Sequence, residues 1–470
     1  MGRMQLSCPG HIVIEVNAVF GDTIAAVSTA MGEAGIGIVR VSGPEAMEIL
    51  SKIFRPKNPE RFAKGLGYRI YYGQVFDPDS GSSVDEVLVS VMRGPNSFTG
   101  EDVVEINCHG GLVAQRGILA LLLRLGAQSA EPGEFTKRAF VNGRLDLAQA
   151  EAVIDLIRAK TSLGASSALE QLRGRLSDEV TGCRNSLLEI LAQIEAGIDF
   201  PEEGLDLDSG EILLEKLQNV IARIEELLSG SKRGKILREG LSTAIIGRPN
   251  VGKSSLLNAL LGEERAIVTD IPGTTRDVLE EYISIKGIPL KLIDTAGIRT
   301  TEDMVERLGV DRALKALEKA DLVLFVLEAG LSLTSDEKKL LAGVPQEKLV
   351  LVVNKIDLGP DWRPPVEGPT FYVSALEQRG IEELEDGIIE VVAGKQTAES
   401  AVVSNIRHIN SLEGSAAKVR DAVSSLRHRI PPDVVSIDVR AAWELLGEIT
   451  GETVGEDLLD EIFSRFCIGK

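Results

Sequence analysis

The residues from Gly247 to Ser254 read Gly-Arg-Pro-Asn-Val-Gly-Lys-Ser, between a short apolar strand pattern and a helical one. Phosphate oxygens need several backbone N–H donors at close range, and glycine permits the backbone path that supplies them. Lys253 would place positive charge on the β- and γ-phosphates, and the Ser254 hydroxyl would ligate Mg²⁺. A glycine-rich turn that fits by chance is the alternative, which the strand–loop–helix context disfavours. The residues assigned to this phosphate loop are Asn250, Val251, Gly252, Lys253, Ser254 and Ser255.

A second motif, Asn354-Lys-Ile-Asp357, follows the apolar strand Leu349–Val353. Its Asp357 carboxylate can accept hydrogen bonds from guanine N1–H and the exocyclic amine together, a pair that adenine does not offer. Lys355 can lie along the base, and Asn354 can brace the phosphate loop. Ser374, Ala375 and Leu376, after the last strand, can donate backbone N–H groups to guanine O6. The motifs together predict GTP rather than ATP as the ligand.

Two further segments are predicted to contact Mg²⁺ and the γ-phosphate. Asp294-Thr295-Ala296-Gly297 ends a strand, so that the carboxylate can hold Mg²⁺ through water and the Gly297 amide can reach the γ-phosphate. In Thr269–Asp277, a threonine can complete the Mg²⁺ shell when the γ-phosphate is present. GTP contacts are therefore also assigned to Thr269, Thr274, Thr275, Asp294, Thr295, Ala296 and Gly297. These elements, in this order, resemble the G domain of translation-factor-type small GTPases.

The residue that activates the hydrolytic water is left open by these motifs. Ras-like proteins place a glutamine where this chain has Ile298, which cannot form a hydrogen bond. The neighbouring charged residues, each of which could equally be a solvated loop charge, are Arg276, Arg299, Glu302, Asp303 and Glu306. Asn250 either forms a turn after Pro249 or offers its side-chain oxygen to a monovalent cation.

Composition narrows the class of protein that carries these motifs. The 470 residues include 51 Lys and Arg against 71 Asp and Glu, a net charge of −20, with 44% hydrophobic residues. At about 150 residues per domain, this length predicts three globular domains. No apolar run approaches the ~20 residues of a membrane-spanning helix, the first residues carry no secretion pattern, and the four cysteines form no CxxC pair. We therefore expect a cytoplasmic protein without membrane contact, whose acidic charge disfavours extensive nucleic-acid binding without a basic patch or a basic partner.

The pattern of apolar residues divides the chain into four regions. Mixed α/β character extends from Thr23 to about Gly111, and helical spacing then fills roughly 145–230 with a loop at Pro201–Gly210. Ser229–Gly240, rich in Gly, Lys and Arg, is interpreted as a linker. From Leu241 to about Gly394 strands alternate with helices, which predicts a largely parallel sheet covered on both faces. Helical spacing returns after Ala401, so the simplest architecture inserts the α/β unit between two halves of one helical domain.

Motifs outside the predicted GTP site are the most specific in the chain. They are Gly94-Pro-Asn-Ser-Phe-Thr-Gly-Glu-Asp102, His109-Gly-Gly111, Pro132-Gly-Glu-Phe-Thr136, Arg138-Ala-Phe140 and Cys467-Ile-Gly-Lys470. With these motifs, the chain from about Asp22 to Lys470 resembles the MnmE (TrmE) family of tRNA modification GTPases.

This resemblance implies a multidomain protein that combines α/β and all-α parts. The expected parts are an N-terminal extension (1–21), a folate-binding-like α+β dimerisation domain (22–140), a helical domain from two chain segments (141–232 and 396–470), and an inserted Ras-like P-loop GTPase domain (233–395).

The resemblance also implies a reaction and its partners. The expected enzyme is a homodimeric GTP hydrolase that works with the flavoprotein MnmG (GidA), which carries FAD, on C5 of the wobble uridine of certain tRNAs. A folate such as 5-formyltetrahydrofolate would supply the one-carbon unit. The alternatives are a switch-type RNA- or ribosome-assembly GTPase and, less favoured because of the intact G domain, a stand-alone folate aminomethyltransferase.

Roles for individual residues follow from the resemblance, position by position. K⁺ would be bound by Asn250, Thr269, Ile271 and Thr274, and Mg²⁺ by Ser254 and Thr275. Glu306 matches the family's catalytic glutamate, and Arg276 matches a supporting arginine. The folate site maps to Arg40, Glu105, Arg144 and Lys470, although many relatives have lysine in place of Arg144. Without the resemblance, Arg40 and Glu105 would be interpreted as a cross-strand ion pair. We interpret Cys467, beside Phe463 and Phe466 on an apolar stripe, as a core residue rather than a covalent catalyst, and His109 as a turn residue rather than a base.

Overall fold

The computed structural model describes residues 21–63, 67–199, 210–267, 281–293, 314–358, 362–393 and 403–470. Its N-terminal part is an α+β unit built on a seven-stranded sheet with the order β3-β4-β5-β6-β2-β1-β7. The strands are β1 Ile24–Val27, β2 Gly37–Ser42, β3 Phe54–Pro56, β4 Arg69–Phe76, β5 Ser83–Met92, β6 Val103–Cys108 and β7 Gln128–Ser129. The helices are α1 Ala46–Ile53, α2 Pro59–Ala63, α3 Leu112–Arg124 and α4 Glu134–Val141.

Alternation along β2 and β6 fixes which side chains of this sheet reach the core. Val39 and Ile106 are buried in the core with α1 and α3, so their neighbours Arg40 and Glu105 lie on the opposite face. The two strands pair antiparallel with Arg40 directly opposite Glu105. The register therefore places two opposite charges side by side on the outer face of the sheet.

Helices follow the α+β unit up to the first strand of the second sheet. They are α5 Leu147–Arg158, α6 Ser162–Leu172, α7 Arg175–Asp199, α8 Gly210–Ser229 and α9 Ser231–Glu239. Asp146 begins α5 with a capping box, since its side chain accepts from Gln149 N–H while the Gln149 side chain accepts from Asp146 N–H.

The second sheet has seven strands in the order β14-β13-β12-β8-β11-β10-β9. Its strands are β8 Leu241–Ile246, β9 Ala266–Ile267, β10 Glu281–Ile285, β11 Ile288–Leu292, β12 Leu322–Glu328, β13 Leu349–Asn354 and β14 Thr370–Tyr372. Its helices are α10 Lys253–Arg265, α11 Ser335–Ala342 and α12 Ile381–Ala393, with a short 3₁₀ turn at Gln346–Lys348; residues 314–319 are also helical. Strands β8 and β11 to β14 run parallel, so the loops after β8 and β13 lie at the same edge of the sheet.

Three helices complete the chain: α13 Ile406–Arg427, α14 Pro432–Thr450 and α15 Glu456–Ser464. Helices α13 and α14 share one hydrophobic core with α7 and α8, in which Leu187 and Val220 from the first segment meet Leu412 and Val439 from the second. The fold class predicted from the sequence is confirmed, including a helical domain made of two chain segments. Within the described ranges, no helix is both long and apolar enough to cross a bilayer.

The linker predicted at Ser229–Gly240 is wrong, because most of it is helix α9. Its Lys, Arg, Leu and Ile residues favour helix, and Leu237 is buried in the core of the second sheet's domain. Gly234, which contributed to the linker interpretation, serves close packing. A Cβ at that position would lie 2.1 Å from the carbonyl oxygen of Val403.

Candidate functional site

The phosphate loop leaves β8 at Gly247 and enters α10 at Lys253. Its path uses two residues in the left-handed region, Asn250 (φ 64°) and Gly252 (φ 94°). Gly252 also has no room for a side chain, since a Cβ would lie 2.3 Å from Nδ2 of Asn354. The loop thus delivers the chain to the start of a thirteen-residue helix, whose first N–H groups and dipole favour an anion.

Lys253 lies within this loop rather than in solvent. Its Nζ donates to the carbonyl oxygens of Gly247 (2.9 Å) and Arg248 (2.8 Å). Burial lowers the pKa of the Lys253 ammonium. A phosphate group placed in the loop would offset that effect, because an adjacent anion favours the charged amine.

Asn354, at the end of β13, connects the phosphate loop to the loop after β14. Its Nδ2 donates to the Val251 carbonyl (2.8 Å), and its Oδ1 accepts from the Ala375 N–H (3.0 Å). The side chain is buried, so each of these bonds would leave an unsatisfied polar group if it were broken. One amide therefore fixes the relative position of the two loops.

The residues assigned to guanine recognition surround this joint. Lys355 has φ 62°, and its Nζ lies 2.9 Å from Oε2 of Glu328. Asp357 and Leu376 are exposed, whereas Ser374 and Ala375 are buried. The exposed carboxylate and the buried loop therefore flank one open edge of the sheet, on the same side as the phosphate loop.

A second anchor of the phosphate loop was not predicted from the sequence. Arg248 Nε donates to Oε1 of Glu337 (3.0 Å), and its Nη2 donates to the Ser332 carbonyl (3.0 Å). Glu337 is buried and also forms a capping box with Thr334 at the start of α11. The Thr-Ser-Asp-Glu spacing of that box indicates a helix start, but nothing in the sequence links it to Arg248.

The remaining residues assigned to nucleotide, metal and catalysis lie outside the described part of the chain. They are Thr269, Ile271, Thr274, Thr275, Arg276, Asp294, Thr295, Ala296, Gly297 and Glu306, and the same is true of the extension at 1–20.

A second candidate site lies on the outer face of the N-terminal sheet, around Arg40. The Arg40 guanidinium contacts Glu105, with Nε to Oε1 at 2.9 Å, and lies 5.7 Å and 5.5 Å from the ring centroids of Phe98 and Phe135. The two rings belong to the Gly94–Asp102 and Pro132–Thr136 motifs, but their role beside Arg40 was not predicted. A charged pair is thus framed by aromatic rings on a sheet surface.

The last residues of the chain lie against this pair. The Gly469 carbonyl accepts from Arg40 Nη1 and from the Ser28 hydroxyl, both at 3.1 Å. Burial and the Arg40 charge lower the pKa of the Lys470 amine, while Glu105 opposes them. Three of the four residues assigned to folate are therefore adjacent.

Arg144, the fourth residue, is exposed and contacts the loop that carries Phe98. Its Nε is 3.4 Å from the Ser97 carbonyl, next to Phe98. The loop 94–102 is thus the element that links Arg144 to the Arg40 site.

Arg138 contacts residues of the Gly94–Asp102 and Pro132–Thr136 motifs, which also carry Phe98 and Phe135. It is fully buried, and its guanidinium contacts the carboxylates of Asp22, Glu101 and Glu134. Burial works against its charge, but these carboxylates more than compensate and raise the pKa of Arg138. Arg138 therefore joins residues of the Gly94–Asp102, Pro132–Thr136 and Arg138–Phe140 motifs in one polar network.

Cys467 and His109 are both exposed side chains outside the regular elements. The core interpretation of Cys467 is wrong, because α15 ends at Ser464 and Cys467 is exposed beyond the apolar stripe. His109 follows β6 outside regular structure, with Nδ1 2.6 Å from Oδ1 of Asp85 and an exposed ring.

Comparison with known proteins gives matches over nearly the whole chain. The family model described as "MnmE helical domain" matches residues 147–467, and "GTP-binding protein TrmE N-terminus" matches residues 23–144. The tRNA modification GTPase MnmE of Desulforamulus reducens is 50% identical over 458 residues, covering 96% of this chain and 99% of the relative. That of Geobacillus thermodenitrificans is 52% identical over 458 residues, with the same coverage. Among solved structures, the G domain of the T. maritima FeoB iron transporter aligns with 32% of this chain and 96% of that chain, at 27% identity and a TM-score of 0.23.

Proposed function

The chain belongs to the MnmE family of tRNA modification GTPases, and from this premise we propose that it is a GTP hydrolase that acts in tRNA modification. The observation that carries the proposal is the Asn354 joint, which connects the loop predicted to bind phosphate with the loop predicted to bind the base. Such a joint suits a nucleotide bound by its phosphates and its base at once.

The residues of the loop would act on GTP in distinct ways. Lys253 would pair with the β- and γ-phosphates, and the N–H groups at the start of α10 would donate to their oxygens. Ser254 and Thr275 would hold Mg²⁺, which neutralises charge on the phosphates. Glu306 would orient the attacking water, with Arg276 in support.

The proposal extends to a monovalent cation and a homodimer. Asn250 is exposed in the loop, and with Thr269, Ile271 and Thr274 it would offer a set of oxygens, the ligand type suited to a hard cation. K⁺ held there would supply positive charge near the bridging oxygen between the β- and γ-phosphates. We expect two copies of the chain to dimerise during hydrolysis through the surfaces of their G domains that carry the nucleotide and the K⁺ ligands.

The Arg40 site supports folate chemistry in the same protein. The guanidinium of Arg40 suits anionic or ring acceptor groups, Glu105 suits N–H donors of a pterin, and Phe98 offers an aromatic face. With a flavoprotein partner of the MnmG type, the chain would thus modify C5 of the wobble uridine with a folate one-carbon unit. A switch-type assembly GTPase would have no use for such a site.

Two measurements on the full chain test this proposal. GTP hydrolysis is measured in KCl and in NaCl at equal ionic strength, and we expect K⁺ alone to stimulate it; equal rates would contradict the cation-assisted dimer. Glu306→Ala should nearly abolish turnover and leave GTP affinity within about threefold, as expected for a group that acts mainly in the transition state. Loss of GTP binding would instead make Glu306 structural.

Folate binding separates the enzyme from the assembly switch. We expect 5-formyltetrahydrofolate to bind the full chain in calorimetry and Arg40→Ala to weaken it at least about tenfold, the effect of losing one charged hydrogen bond. Arg124→Ala is the control, because Arg124 lies on α3 of the same domain and pairs with Asp77 instead. No detectable binding to the unaltered chain would favour the assembly switch.

A further inference from the structure

The phosphate loop is packed closely at both of its ends. A Cβ on Gly247 would lie 2.4 Å from the Val326 carbonyl oxygen, so the loop leaves β8 against the backbone of β12. At the other end Val251 is buried, and its carbonyl accepts from Asn354. Residues 249–250, between these ends, are exposed. The exposed middle of the loop has to be held in another way.

This middle part has a conformation that needs support. Asn250 is in the left-handed region, with φ 64°, which residues other than glycine populate sparsely. Such a conformation persists where the surrounding contacts fix it. In addition, the carbonyl oxygens of Gly247 and Arg248 both accept from Lys253 Nζ, so the backbone at Arg248 must keep one orientation. The shape of the loop is therefore sensitive to how Arg248 is held.

Arg248 is held by its own side chain. Its Nε donates to Oε1 of Glu337 and its Nη2 donates to the Ser332 carbonyl, both at 3.0 Å. Two bonds from one planar guanidinium fix its orientation as well as its position. Arg248 thus ties the phosphate loop to the segment that begins α11.

Glu337 is a well-fixed partner for this contact. It is buried in the first turn of α11, and its second carboxylate oxygen, Oε2, accepts from the Thr334 N–H (2.8 Å) and hydroxyl (3.1 Å). One carboxylate oxygen is therefore bonded to the start of the helix and the other to the phosphate loop. Glu337 belongs to none of the motifs that predict nucleotide binding.

We propose that Glu337 is a positioning residue for nucleotide binding, which through Arg248 keeps the phosphate loop in its receptive conformation before the nucleotide arrives. The inference rests on the proposed GTPase function, because it concerns the same loop. Without this support the loop would populate other conformations, and binding would have to select the receptive one. A loop that is receptive for one tenth of the time raises the apparent Kd about tenfold.

Calorimetry of the full chain with Mg²⁺ measures the affinity for GDP and for guanosine 5′-(βγ-imido)triphosphate. We expect Glu337→Ala to weaken both about tenfold, because both nucleotides place a β-phosphate in the loop. For GTP hydrolysis in KCl, KM should rise by a similar factor and kcat should change less than about twofold, as when an interaction contributes equally to the ground state and the transition state. A merely structural role would lower the urea midpoint of unfolding and leave both affinities unchanged.

The sign of this effect separates positioning from simple charge. If only electrostatic attraction mattered, removing a carboxylate near the loop would strengthen the binding of an anion. Asp336→Ala is the matched control, because Asp336 is an exposed carboxylate in the same turn of α11 and pairs with Lys339 instead. We expect it to change the affinity for GDP by less than about twofold.

Variants of Arg248 test the same contact from the other side. Arg248→Ala should weaken GDP binding as much as Glu337→Ala does, and the double variant should bind no more weakly than either, because each substitution removes the same contact. Arg248→Lys keeps the charge but lacks the planar fork that bonds Glu337 and Ser332 at once, so it should weaken GDP binding at least about threefold. These variants also provide the test if Glu337→Ala does not fold.

The outcomes separate the two proposals. GDP binding that is unchanged or tighter in Glu337→Ala, unchanged in Arg248→Lys, or weakened multiplicatively in the double variant overturns the positioning role while the GTP site stands. An unaltered chain that binds neither nucleotide overturns the GTP site, and the positioning role with it.

Discussion

At the scale of single residues, the proposed GTP site depends on polar side chains that join distant parts of the chain. Asn354 joins loops after two different strands, and Arg248 joins the phosphate loop to Glu337. The local motifs around these residues can be predicted from the sequence, because each motif is a run of residues with its own chemistry. The pairing of Arg248 with Glu337 could not be predicted from the sequence, because it arises only when α11 packs beside the phosphate loop.

The base-reading assignment leads to a prediction for Asp357→Asn. Asparagine keeps one acceptor and adds a donor, so it cannot accept from guanine N1–H and the exocyclic amine together. We expect the affinity for GTP measured by calorimetry to fall about 10- to 150-fold, the effect of losing a hydrogen bond to a charged group. Asp336→Asn, an exposed carboxylate on α11, should leave it unchanged, and an unaltered preference for GTP over ATP in Asp357→Asn would contradict the assignment.

At the scale of elements, α9 shows where sequence patterns mislead. Glycine, lysine and arginine are common in linkers, yet the lysines and arginines also favour helix, and only tertiary packing decides between the two. The central strands β12 and β13 were easier to predict, because their continuous apolar runs reflect burial on both faces of the sheet. Phe98 and Phe135 were missed as companions of Arg40 because their motifs indicate a family but no contact.

Close packing of α9 on the returning chain predicts the effect of Gly234→Ala. A Cβ there would lie 2.1 Å from the Val403 carbonyl, so the backbone must shift. We expect the free energy of unfolding, from urea titration, to fall by about 1–3 kcal/mol, as for overpacked sites. Gly117→Ala is the control: its Cβ would meet Val84 at an ordinary 3.5 Å on helix α3, and it should be neutral or stabilising by up to about 1 kcal/mol. Equal effects of the two substitutions would show that the contact with Val403 is unimportant.

At the scale of the whole molecule, one buried carboxylate ties the first helical segment to the second. Glu151 on α5 contacts Asn405, Arg407 and His408, which begin the second segment. Burial disfavours the charge of Glu151, but His408 and Arg407 outweigh it and hold the pKa of this carboxyl well below its usual range. The two segments are thus held together by charge as well as by the hydrophobic core.

The low pKa of Glu151 gives a pH-dependent prediction. Because the folded pKa lies below the ordinary value of 4.5, the carboxylate stabilises the fold above that pH, and this contribution is lost as the pH falls toward the folded pKa. At pH 7 we expect Glu151→Gln to lower the free energy of unfolding by about 3–5 kcal/mol, as when a buried ion pair loses one partner. The difference from the unaltered chain should shrink below pH 4.5.

Glu195→Gln provides the comparison. Glu195 forms an ion pair with Arg440 between the same two segments, but it is half exposed, so its loss should cost less than about 1 kcal/mol at any pH. A Glu151→Gln effect that is equally small, or that grows in acid, would be inconsistent with the ion-pair network.

The division of the helical core between two segments also determines the order in which the domains can fold during synthesis. Leu187 and Val220 are synthesised before the G domain, while Leu412 and Val439 emerge only after it. During that interval the nascent α7–α8 pair exposes an apolar surface that has no cover yet, a state in which chains are prone to aggregate. The strands of the G domain are contiguous in the chain, so this domain can fold before the second helical segment is synthesised. We therefore expect an intermediate during synthesis in which the G domain is folded while the helical domain is incomplete and its exposed apolar surface is available to chaperones.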